Sequence, residues 1–276
     1  MCRWRQLARV TNGAASALVV ILVAAAPAGG QGPAGPGPFP RTADGKPDLN
    51  GIWQAISTAN WDLEGHEARP SPILALGAVG AVPPGLGVVE GGKIPYQPWA
   101  ALKKQENAKN WLTLDPEVKC FLPGVPRATY LSSAFQIFQS PGRLLIVYGY
   151  SYARREINMV PRGKAPADFW MGWSDGRWDG DTLVIDVTSF NDQTWFDRAG
   201  NFHSEELHVV ERYTPITPYH IAYEATIEDP KVFTRPWKIS MPLYRLVDKN
   251  AQLLEFKCVE LTEELLYGDL VKKPNK

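Results

Sequence analysis

The residues best suited to acid–base chemistry are concentrated in one stretch, residues 171–227, which holds three of the four histidines of the chain. Two strands are predicted in its second half, on either side of a turn signal at residues 214–218. If Tyr213 pairs with Tyr219, the register of the whole hairpin follows, because facing residues in an antiparallel pair have a constant sum of residue numbers. This register decides which polar side chains meet.

One face of the predicted hairpin carries a candidate acid–base pair. His208 faces Glu224 in this register, and Arg212 and His220 lie on the same side. An imidazole and a carboxylate in contact can transfer a proton, and a nearby guanidinium can stabilise developing negative charge. The alternative is a solvent-exposed outer face whose cross-strand charge pairs contribute about 0.2–1 kcal/mol each.

The opposite face is apolar apart from Glu211, and we expect it to be buried. Desolvation favours the protonated form of a carboxyl group, which makes Glu211 a candidate general acid or base inside an aromatic barrel. The alternative is a structural carboxylate that accepts hydrogen bonds from tyrosine or tryptophan, or one at a sheet edge near water. The residues of this face are Leu207, Val209, Glu211 and Tyr213 opposite Tyr219, Ile221, Tyr223 and Ala225.

A third group of candidates includes the connection before these strands. Asp197, His203, Glu205 and His208 offer nitrogen and oxygen donors within twelve residues, and such donors can hold a divalent cation. Their spacing matches no metal-binding motif, and a loop of Asp, Asn and Gly is more often a series of turns. We therefore predict no metal and no other cofactor, with Asp197, His203 and His208 as the residues to test for a metal. His203 is also a candidate for proton transfer.

Nine short strands should position these residues, as indicated by β-branched and aromatic enrichment between turn residues. Because no helices alternate with them, a parallel α/β sheet is excluded. We predict an all-β fold, an antiparallel up-and-down barrel of lipocalin or calycin type with about 8–10 strands and one or two short peripheral helices. The strands are expected at 129–139, 143–150, 153–160, 172–178, 181–188, 205–213, 219–227, 233–242 and 251–259, and the helices at 98–111 and 262–270.

A tight turn at Asp179-Gly180 joins two of these strands. It would pair Arg177 with Thr182. The following strand then has a core face consisting of Leu183, Ile185 and Val187.

The N-terminal residues 1–28 have the order of a secretory signal peptide, with basic residues, a short apolar run and an Ala-Pro-Ala cleavage site. A membrane anchor is the competing interpretation, but the apolar run is shorter than the roughly 20 residues that a bilayer requires. Residues 29–46 form a Pro/Gly-rich linker, and 47–276 form a single barrel domain with a long Gly/Pro loop at 69–93. We expect a periplasmic or secreted protein without stable membrane insertion.

Cys120 and Cys258 are the two cysteines that remain after this processing. In an oxidising compartment such a pair is expected to form a disulfide, and two separate buried thiols are the alternative.

Charge and aromatic content limit the partners. Removing residues 1–28 takes three of the 29 basic side chains and no acidic one, so 26 basic side chains face 29 acidic ones and the net charge is −3. This balance excludes a nucleic-acid-binding protein. Nine of the ten tryptophans remain, which indicates a core or a pocket rich in flat aromatic surface, and we expect a pocket for a small hydrophobic molecule. We expect the pocket to be lined by Trp173, Trp178, Tyr213, Tyr219 and Tyr223. The sequence indicates no oligomeric state.

Longer motifs occur at residues 47–53, 120–127, 170–172, 174, 176–178, 180–184, 186, 197–204, 207–212, 229–230 and 234–237. They resemble an uncharacterised family of secreted bacterial proteins that is abundant in acidobacteria and their relatives, and Gly51-x-Trp53 also resembles the first-strand signature of lipocalins, in which the tryptophan closes one end of the barrel. The family resemblance implies a shared β architecture and makes His203, His208, Glu211 and Arg212 the sites to test. One departure is Cys258-Val259-Glu260-Leu261-Thr262, where a Cys-His-Glu-Gly-Asn-like stretch is expected.

The leading hypothesis is a barrel enzyme that acts on a small hydrophobic or polycyclic molecule by cofactor-independent acid–base chemistry, as an isomerase, cyclase or lyase. The alternative is a non-catalytic periplasmic carrier with the same cavity. A structural or interaction protein is disfavoured, because the chain has no repeat and no coiled coil. The residues assigned to the reaction are His208, Glu211, Arg212, Glu224 and His203.

Overall fold

The chain folds into a closed barrel of nine β-strands in a computed structural model that describes residues 38–70 and 73–272. Each strand neighbours the next along the chain, and the last pairs with the first. The predicted all-β barrel is therefore confirmed. The strands are β1 (Gly51–Ala55), β2 (Phe135–Ser140), β3 (Arg143–Tyr148), β4 (Arg154–Asn158), β5 (Trp173–Asp179), β6 (Thr182–Thr188), β7 (His208–Thr217), β8 (His220–Glu228) and β9 (Trp237–Arg245).

One pair of neighbours in this barrel is parallel. Strand direction alternates in an antiparallel barrel, so an odd number of strands cannot close with antiparallel pairs alone. Eight neighbouring pairs are antiparallel, and β4 and β5 run parallel. Residues 159–172 provide the crossover that a parallel pair requires, and the two strands share a single register pair, Asn158 with Asp175. The predicted antiparallel order is correct everywhere except at this β4–β5 junction.

Side chains that alternate along each strand fill the barrel interior. Leu183, Ile185 and Val187 of β6 are fully buried, as predicted. Three tyrosines also point into the core, Tyr148 from β3, Tyr213 from β7 and Tyr223 from β8. Their hydroxyl groups need polar partners inside the barrel.

The Gly51-x-Trp53 motif has a clear structural reason. Trp53 is fully buried, and its indole donates a hydrogen bond to the Leu49 carbonyl oxygen at 2.9 Å. The Arg245 guanidinium carbon lies 4.4 Å from the centroid of the Trp53 ring. A Cβ at position 51 would lie 2.6 Å from this guanidinium, and the φ of Gly51 is +140°, which L side chains rarely adopt. Gly51 therefore leaves the space in which Arg245 covers Trp53.

The β7–β8 hairpin has a different register from the predicted one. Tyr213 pairs with Tyr223 rather than with Tyr219, because β7 continues through Pro215 to Thr217 before the chain turns. The register shifts between Pro215 and Thr217, where a β-bulge falls next to the proline. Each residue thus faces a partner four positions further along, and an even shift leaves the predicted faces unchanged.

The β5–β6 hairpin differs from its prediction in the same way. Arg177 pairs with Val184 rather than with Thr182, since Asp179 still belongs to the ladder and the turn follows it. Gly180 has a φ of +59°, a value that glycine adopts at little cost. The shift of two residues again preserves the predicted faces.

Two of the predicted strands are wrong in part or in whole. The segment 129–139 begins with helix α3 (Arg127–Tyr130), and 251–259 contains no strand, so β1 supplies the ninth strand instead. The apolar residues of 251–259 do not meet the core, since Leu254 and Val259 are exposed. Helix α1 (Pro98–Lys109) and helix α4 (Thr262–Lys272) lie where they were expected. A further short helix, α2 (Trp111–Leu114), follows α1.

A disulfide joins Cys120 to Cys258, as predicted, with their Cα atoms 5.6 Å apart. It attaches residues 246–261, which contain no helix or strand, to the loop after α2. The bridge therefore anchors the C-terminal segment to the folded domain.

The Gly/Pro-rich loop at 69–93 is partly packed on the barrel. Ile73, Val82 and Val89 are buried, whereas Leu86 is fully exposed. Val89 pairs with Ile239 of β9, beyond the part of β9 that pairs with β1. The loop thus extends the barrel wall past the end of β1.

The predicted signal peptide at 1–28 lies outside the described residues, as does the first half of the predicted linker. The described part of the linker contacts the barrel through Arg41, whose guanidinium lies 2.6 Å from the Asp181 carboxylate. Within residues 38–70 and 73–272, no helix is long and apolar enough to cross a membrane.

Candidate functional site

A cavity of about 420 Å³ opens at the β4–β5 junction. On the N-terminal side of the Asn158–Asp175 pair the two strands form no ladder, so the starts of β4 and β5 border a gap. We call this space the junction cavity. Its lining includes Arg154, Arg155 and Glu156 of β4, Trp173 and Ser174 of β5, and Phe169 and Trp170 of the crossover.

Arg155 connects the two strands through its side chain where the backbone ladder is missing. It is only 3% exposed, and its Nε donates a hydrogen bond to Ser174 Oγ across the junction at 2.7 Å. Its Nη2 lies 2.5 Å from Oε2 of Glu211, so the two charged groups form an ion pair. The angles at this contact are not those of a hydrogen bond. Burial lowers the pKa of Arg155, but the Glu211 carboxylate outweighs this effect, and the pKa lies above its usual value.

Glu211 lies behind Arg155, inside the barrel. It is fully buried, and its Oε1 accepts hydrogen bonds from Tyr223 at 2.7 Å and from Tyr213 at 3.2 Å. Burial raises the pKa of both tyrosine hydroxyls well above the usual value, and the Glu211 carboxylate raises it further. Both hydroxyls therefore remain protonated donors. Glu211 does not line the junction cavity.

The walls of the junction cavity are largely aromatic. Phe169 and Trp173 stack with ring centroids 6.0 Å apart and an angle of 27° between their planes. Trp170 packs edge-on against Phe121 at 5.0 Å. These rings offer flat apolar surface to a ligand of similar shape.

Two buried donors at this cavity have no hydrogen-bond partner among the described residues. They are Nη1 of Arg155 and the indole Nε1 of Trp173. Buried polar groups in folded proteins nearly always have a partner. Both atoms are themselves inaccessible to solvent, so they are directed at the surrounding side chains rather than into the open cavity.

The predicted pair of His208 and Glu224 is not formed. In the observed register His208 faces Glu228, and its Nε2 lies 3.0 Å from Oδ1 of Asp186. Glu224 faces Arg212 instead. All of these side chains lie on the outer face, each about one-third or more exposed. The contacts therefore match the alternative of an exposed face with weak charge pairs.

Arg212 lies on the same face as His208 and Glu224, as predicted, and on the opposite side of β7 from Glu211. Its ion-pair partner on this outer surface is Asp179, at 3.0 Å. His220 contacts Thr217 Oγ1 through its Nδ1 at 2.8 Å, at the hairpin turn.

The three candidate metal ligands have separate surroundings. Asp197 is buried and accepts hydrogen bonds from the Leu63 and Asn201 backbone amides at 2.8 and 3.2 Å. Burial, together with the Asp62 carboxylate, raises the pKa of Asp197 to about 7. In the described part of the chain no three His, Cys, Asp or Glu residues lie close enough together to hold a metal ion.

His203 is a buried structural residue with both ring nitrogens in use. Its Nδ1 donates to the Ser204 carbonyl oxygen at 2.8 Å, so its Nε2 accepts from the Thr194 hydroxyl at 2.6 Å. Burial lowers the pKa of His203, which keeps this neutral tautomer. Phe190 and Phe196 pack against the ring. The structure thus places His203 away from the junction cavity and gives it no free nitrogen.

The five predicted binding aromatics are not all at one place. Trp173 lines the junction cavity, and Tyr213 and Tyr223 lie behind its inner wall as partners of Glu211. Tyr219 is half exposed, next to the hairpin turn, and Trp178 does not line this cavity.

Sequence reasoning missed Arg155 and Ser174. A run of three charged residues such as Arg154-Arg155-Glu156 is typical of an exposed strand surface, and this holds for Arg154 and Glu156 but not for Arg155. The signal was the alternation along β4, where Arg155 shares the inner face with Ile157. A buried Glu211 also favours a cation in the interior, since an ionised carboxylate away from water is stabilised by a paired charge.

Comparison with protein-family models, with curated proteins and with solved structures gives no match. The family resemblance therefore rests on the sequence motifs alone and remains a prediction.

Proposed function

We propose that the protein is a carrier that binds a small hydrophobic molecule with a flat or polycyclic body in the junction cavity. The supporting observation is the aromatic-walled space of about 420 Å³ at the parallel β4–β5 junction. Ligand pockets of proteins have volumes of about 300–1,000 Å³ and mostly apolar walls. The rest of the barrel is filled by its own side chains, such as Tyr213 and Ile239.

The proposal includes a periplasmic or extracellular location. The disulfide between Cys120 and Cys258 supports it, since disulfides persist in oxidising compartments. A carrier in such a compartment would shield an apolar molecule from water while it moves between membranes or cells.

An acid–base reaction on the same ligand is the second candidate, of the isomerase, cyclase or lyase type without a cofactor. The observation that favours it is the buried network of Arg155, Glu211 and Tyr223 directly behind the cavity wall. Arg155 is the member of this network that lines the cavity, so it would stabilise negative charge developing on the ligand. Glu211 would act by holding Arg155 in place.

Binding of N-phenyl-1-naphthylamine, a neutral dye that fluoresces in apolar sites, tests the main proposal. The full chain should show saturable fluorescence enhancement, and Trp170→Ala should weaken the affinity at least fivefold because it removes a cavity wall. Trp99→Ala is the matched control, since Trp99 is 54% exposed on α1 and does not line the cavity. No saturable binding, or equal effects of both variants, would contradict the proposal.

A further inference from the structure

A second cleft, beside helices α1 and α2, shares no lining residue with the junction cavity. Its volume is about 350 Å³. Of the described residues that line it, four are basic and none is acidic. The full chain has 29 basic and 29 acidic side chains, so this excess of positive charge is a local feature. We call this space the basic cleft, and its basic residues are Arg69, Lys104, Lys109 and Arg198.

Two of these four cations have no carboxylate partner. The two arginines pair with carboxylates that lie outside the lining of the cleft. Lys104 and Lys109 have no carboxylate within ion-pair distance in the described part of the chain, and the carboxylate of α1, Glu106, pairs with Lys103 at 3.1 Å. Lys104 is partly exposed and Lys109 is exposed, so their flexible side chains can reach a ligand in the cleft.

The third cation, Arg198, is held in a fixed position. Its guanidinium carbon lies 4.8 Å from the ring centroids of both Trp61 and Trp111, which also line the cleft. Its Nε donates a hydrogen bond to Glu117 at 2.9 Å. Its Nη2 has no hydrogen-bond partner among the described residues and, unlike that of Arg155, keeps accessible surface. A guanidinium that is already ordered loses little conformational entropy when it binds an anion.

The other walls of the basic cleft are apolar. Besides the two tryptophans, its lining includes Val82, Ala108 and Leu112. An inorganic ion would leave these walls in contact with water, whereas the apolar body of an organic anion would cover them. The cleft therefore combines cations for a charged group with apolar surface for the rest of the same molecule.

We infer that the basic cleft binds small phosphate monoesters, whose phosphate pairs with Lys104 and Lys109 and whose organic group packs against Trp61 and Trp111. A phosphate monoester carries about −1.5 to −2 charges at pH 7, which matches the two unpaired ammonium groups. A carboxylate or a sulfate ester carries one charge and would leave one ammonium group unpaired. This site is separate from the junction cavity and does not depend on the ligand proposed there.

A matched pair of ligands tests the charge. 1-Naphthyl phosphate and 1-naphthyl sulfate have the same ring and ester linkage, and above about pH 7 they differ by nearly one charge, because the second pKa of a phosphate monoester is about 6. Isothermal titration calorimetry on the full chain at low salt should show the phosphate binding at least fivefold more tightly, with a difference that shrinks as salt screens the charges. Equal affinities, or no binding of either ester, would overturn the inference.

Substitutions on α1 test the location. Lys104→Met/Lys109→Met should weaken naphthyl phosphate at least tenfold, and the protein should still fold because methionine and lysine have similar helix propensities. Lys103→Met removes the same charge from the same helix outside the cleft, so it should leave the affinity within twofold. An equal loss per lysine in both variants would mean a diffuse attraction to the helix and would contradict a site in the cleft.

The dye N-phenyl-1-naphthylamine keeps this inference separate from the proposed function. Naphthyl phosphate should not displace dye bound in the junction cavity, since the two sites share no residue. Displacement with an affinity equal to that from calorimetry would place the ester in the junction cavity and overturn the inference. If the dye does not bind but naphthyl phosphate does, with the expected effect of the lysine variants, the proposed function fails and the basic cleft stands.

Discussion

Arg155 and Glu211 form an ion pair sealed inside the barrel, with Nη2 and Oε2 2.5 Å apart. Both side chains are almost completely buried, so loss of one partner leaves an uncompensated charge in the interior. This costs roughly 3–5 kcal/mol. We expect Arg155→Met and Glu211→Gln each to lower the free energy of unfolding by about this amount, as measured by urea denaturation.

The double variant Arg155→Met/Glu211→Gln provides the control. Since it removes both charges, its loss should be well below the sum of the two single losses, and the coupling energy should exceed about 1 kcal/mol. The exposed pair Lys231–Glu205 should give a coupling below about 1 kcal/mol in the same cycle. Additive losses at positions 155 and 211 would show that the two charges are not paired.

Gly51→Ala should destabilise the protein by about 1–3 kcal/mol. The substitution strains a φ of +140° and brings a Cβ to 2.6 Å from the Arg245 guanidinium. Gly142→Ala is the comparison, since Gly142 has a φ of +71° and no atom within 4 Å of an added Cβ. Thermal denaturation should show the larger loss at Gly51, and an equal loss would mean that the contact with Arg245 is unimportant.

Removing the disulfide should loosen the C-terminal segment. The bridge closes a sequence separation of 138 residues, for which the chain-entropy model gives a stabilisation of about 5 kcal/mol. We expect Cys120→Ala/Cys258→Ala to lower the midpoint of thermal unfolding and to accelerate proteolysis within 246–261. Unchanged proteolysis would indicate that contacts of α4 hold the segment without the bridge.

Stability should depend on pH through Asp197. Its pKa is raised from 3.8 to about 7, so between these values the folded state binds more protons than the unfolded state. The free energy of unfolding therefore falls as pH rises from about 4 to about 7, by up to about 4 kcal/mol for this group. Urea denaturation across this range should show a smaller pH dependence for Asp197→Asn than for the wild type.

His203 has the opposite effect and must be separated from Asp197. Burial lowers its pKa, so the unfolded state takes up a proton first as pH falls, and His203 destabilises the fold in acid. Measuring Asp197→Asn and His203→Gln over the same range separates the two contributions. If the first variant keeps the full wild-type pH dependence, Asp197 does not titrate as described.

His208 should have no role in ligand binding. It contacts Asp186 on the exposed outer face of the barrel, and surface ion pairs contribute about 0–1 kcal/mol. His208→Ala should therefore change the free energy of unfolding by less than about 1 kcal/mol and leave dye affinity unchanged. A loss of affinity without a loss of stability would restore His208 as a functional residue.

The fold was predictable where side-chain alternation and turn residues act locally. The inner face of β6 and the positions of α1 and α4 follow from such signals. The disulfide was predictable for another reason, since Cys120 and Cys258 are the two cysteines outside the predicted signal peptide. The hairpin partners did not follow, because a proline in β7 suggested an early turn and the structure accommodates it with a bulge near Pro215. The register error was an even number of residues, so it did not change which face of β7 each side chain lies on. Glu211 was therefore placed inside correctly.

The site was less predictable than the fold. Glu211 was identified, but its partner Arg155 lies 56 positions earlier in the chain, and the contact depends on how the barrel closes. The parallel junction arises from the parity of nine strands, and no local residue pattern indicates it. A cavity formed by this junction could therefore be found only in three dimensions.

Crystals of the full chain soaked with 2-bromonaphthalene provide the most direct test of the account. The anomalous signal of bromine locates the ring. We predict a bromine site in the junction cavity beside Trp170 and Trp173. A bromine site elsewhere, such as the cleft beside Trp61 and Trp111, with the junction cavity free of ligand, would contradict the account.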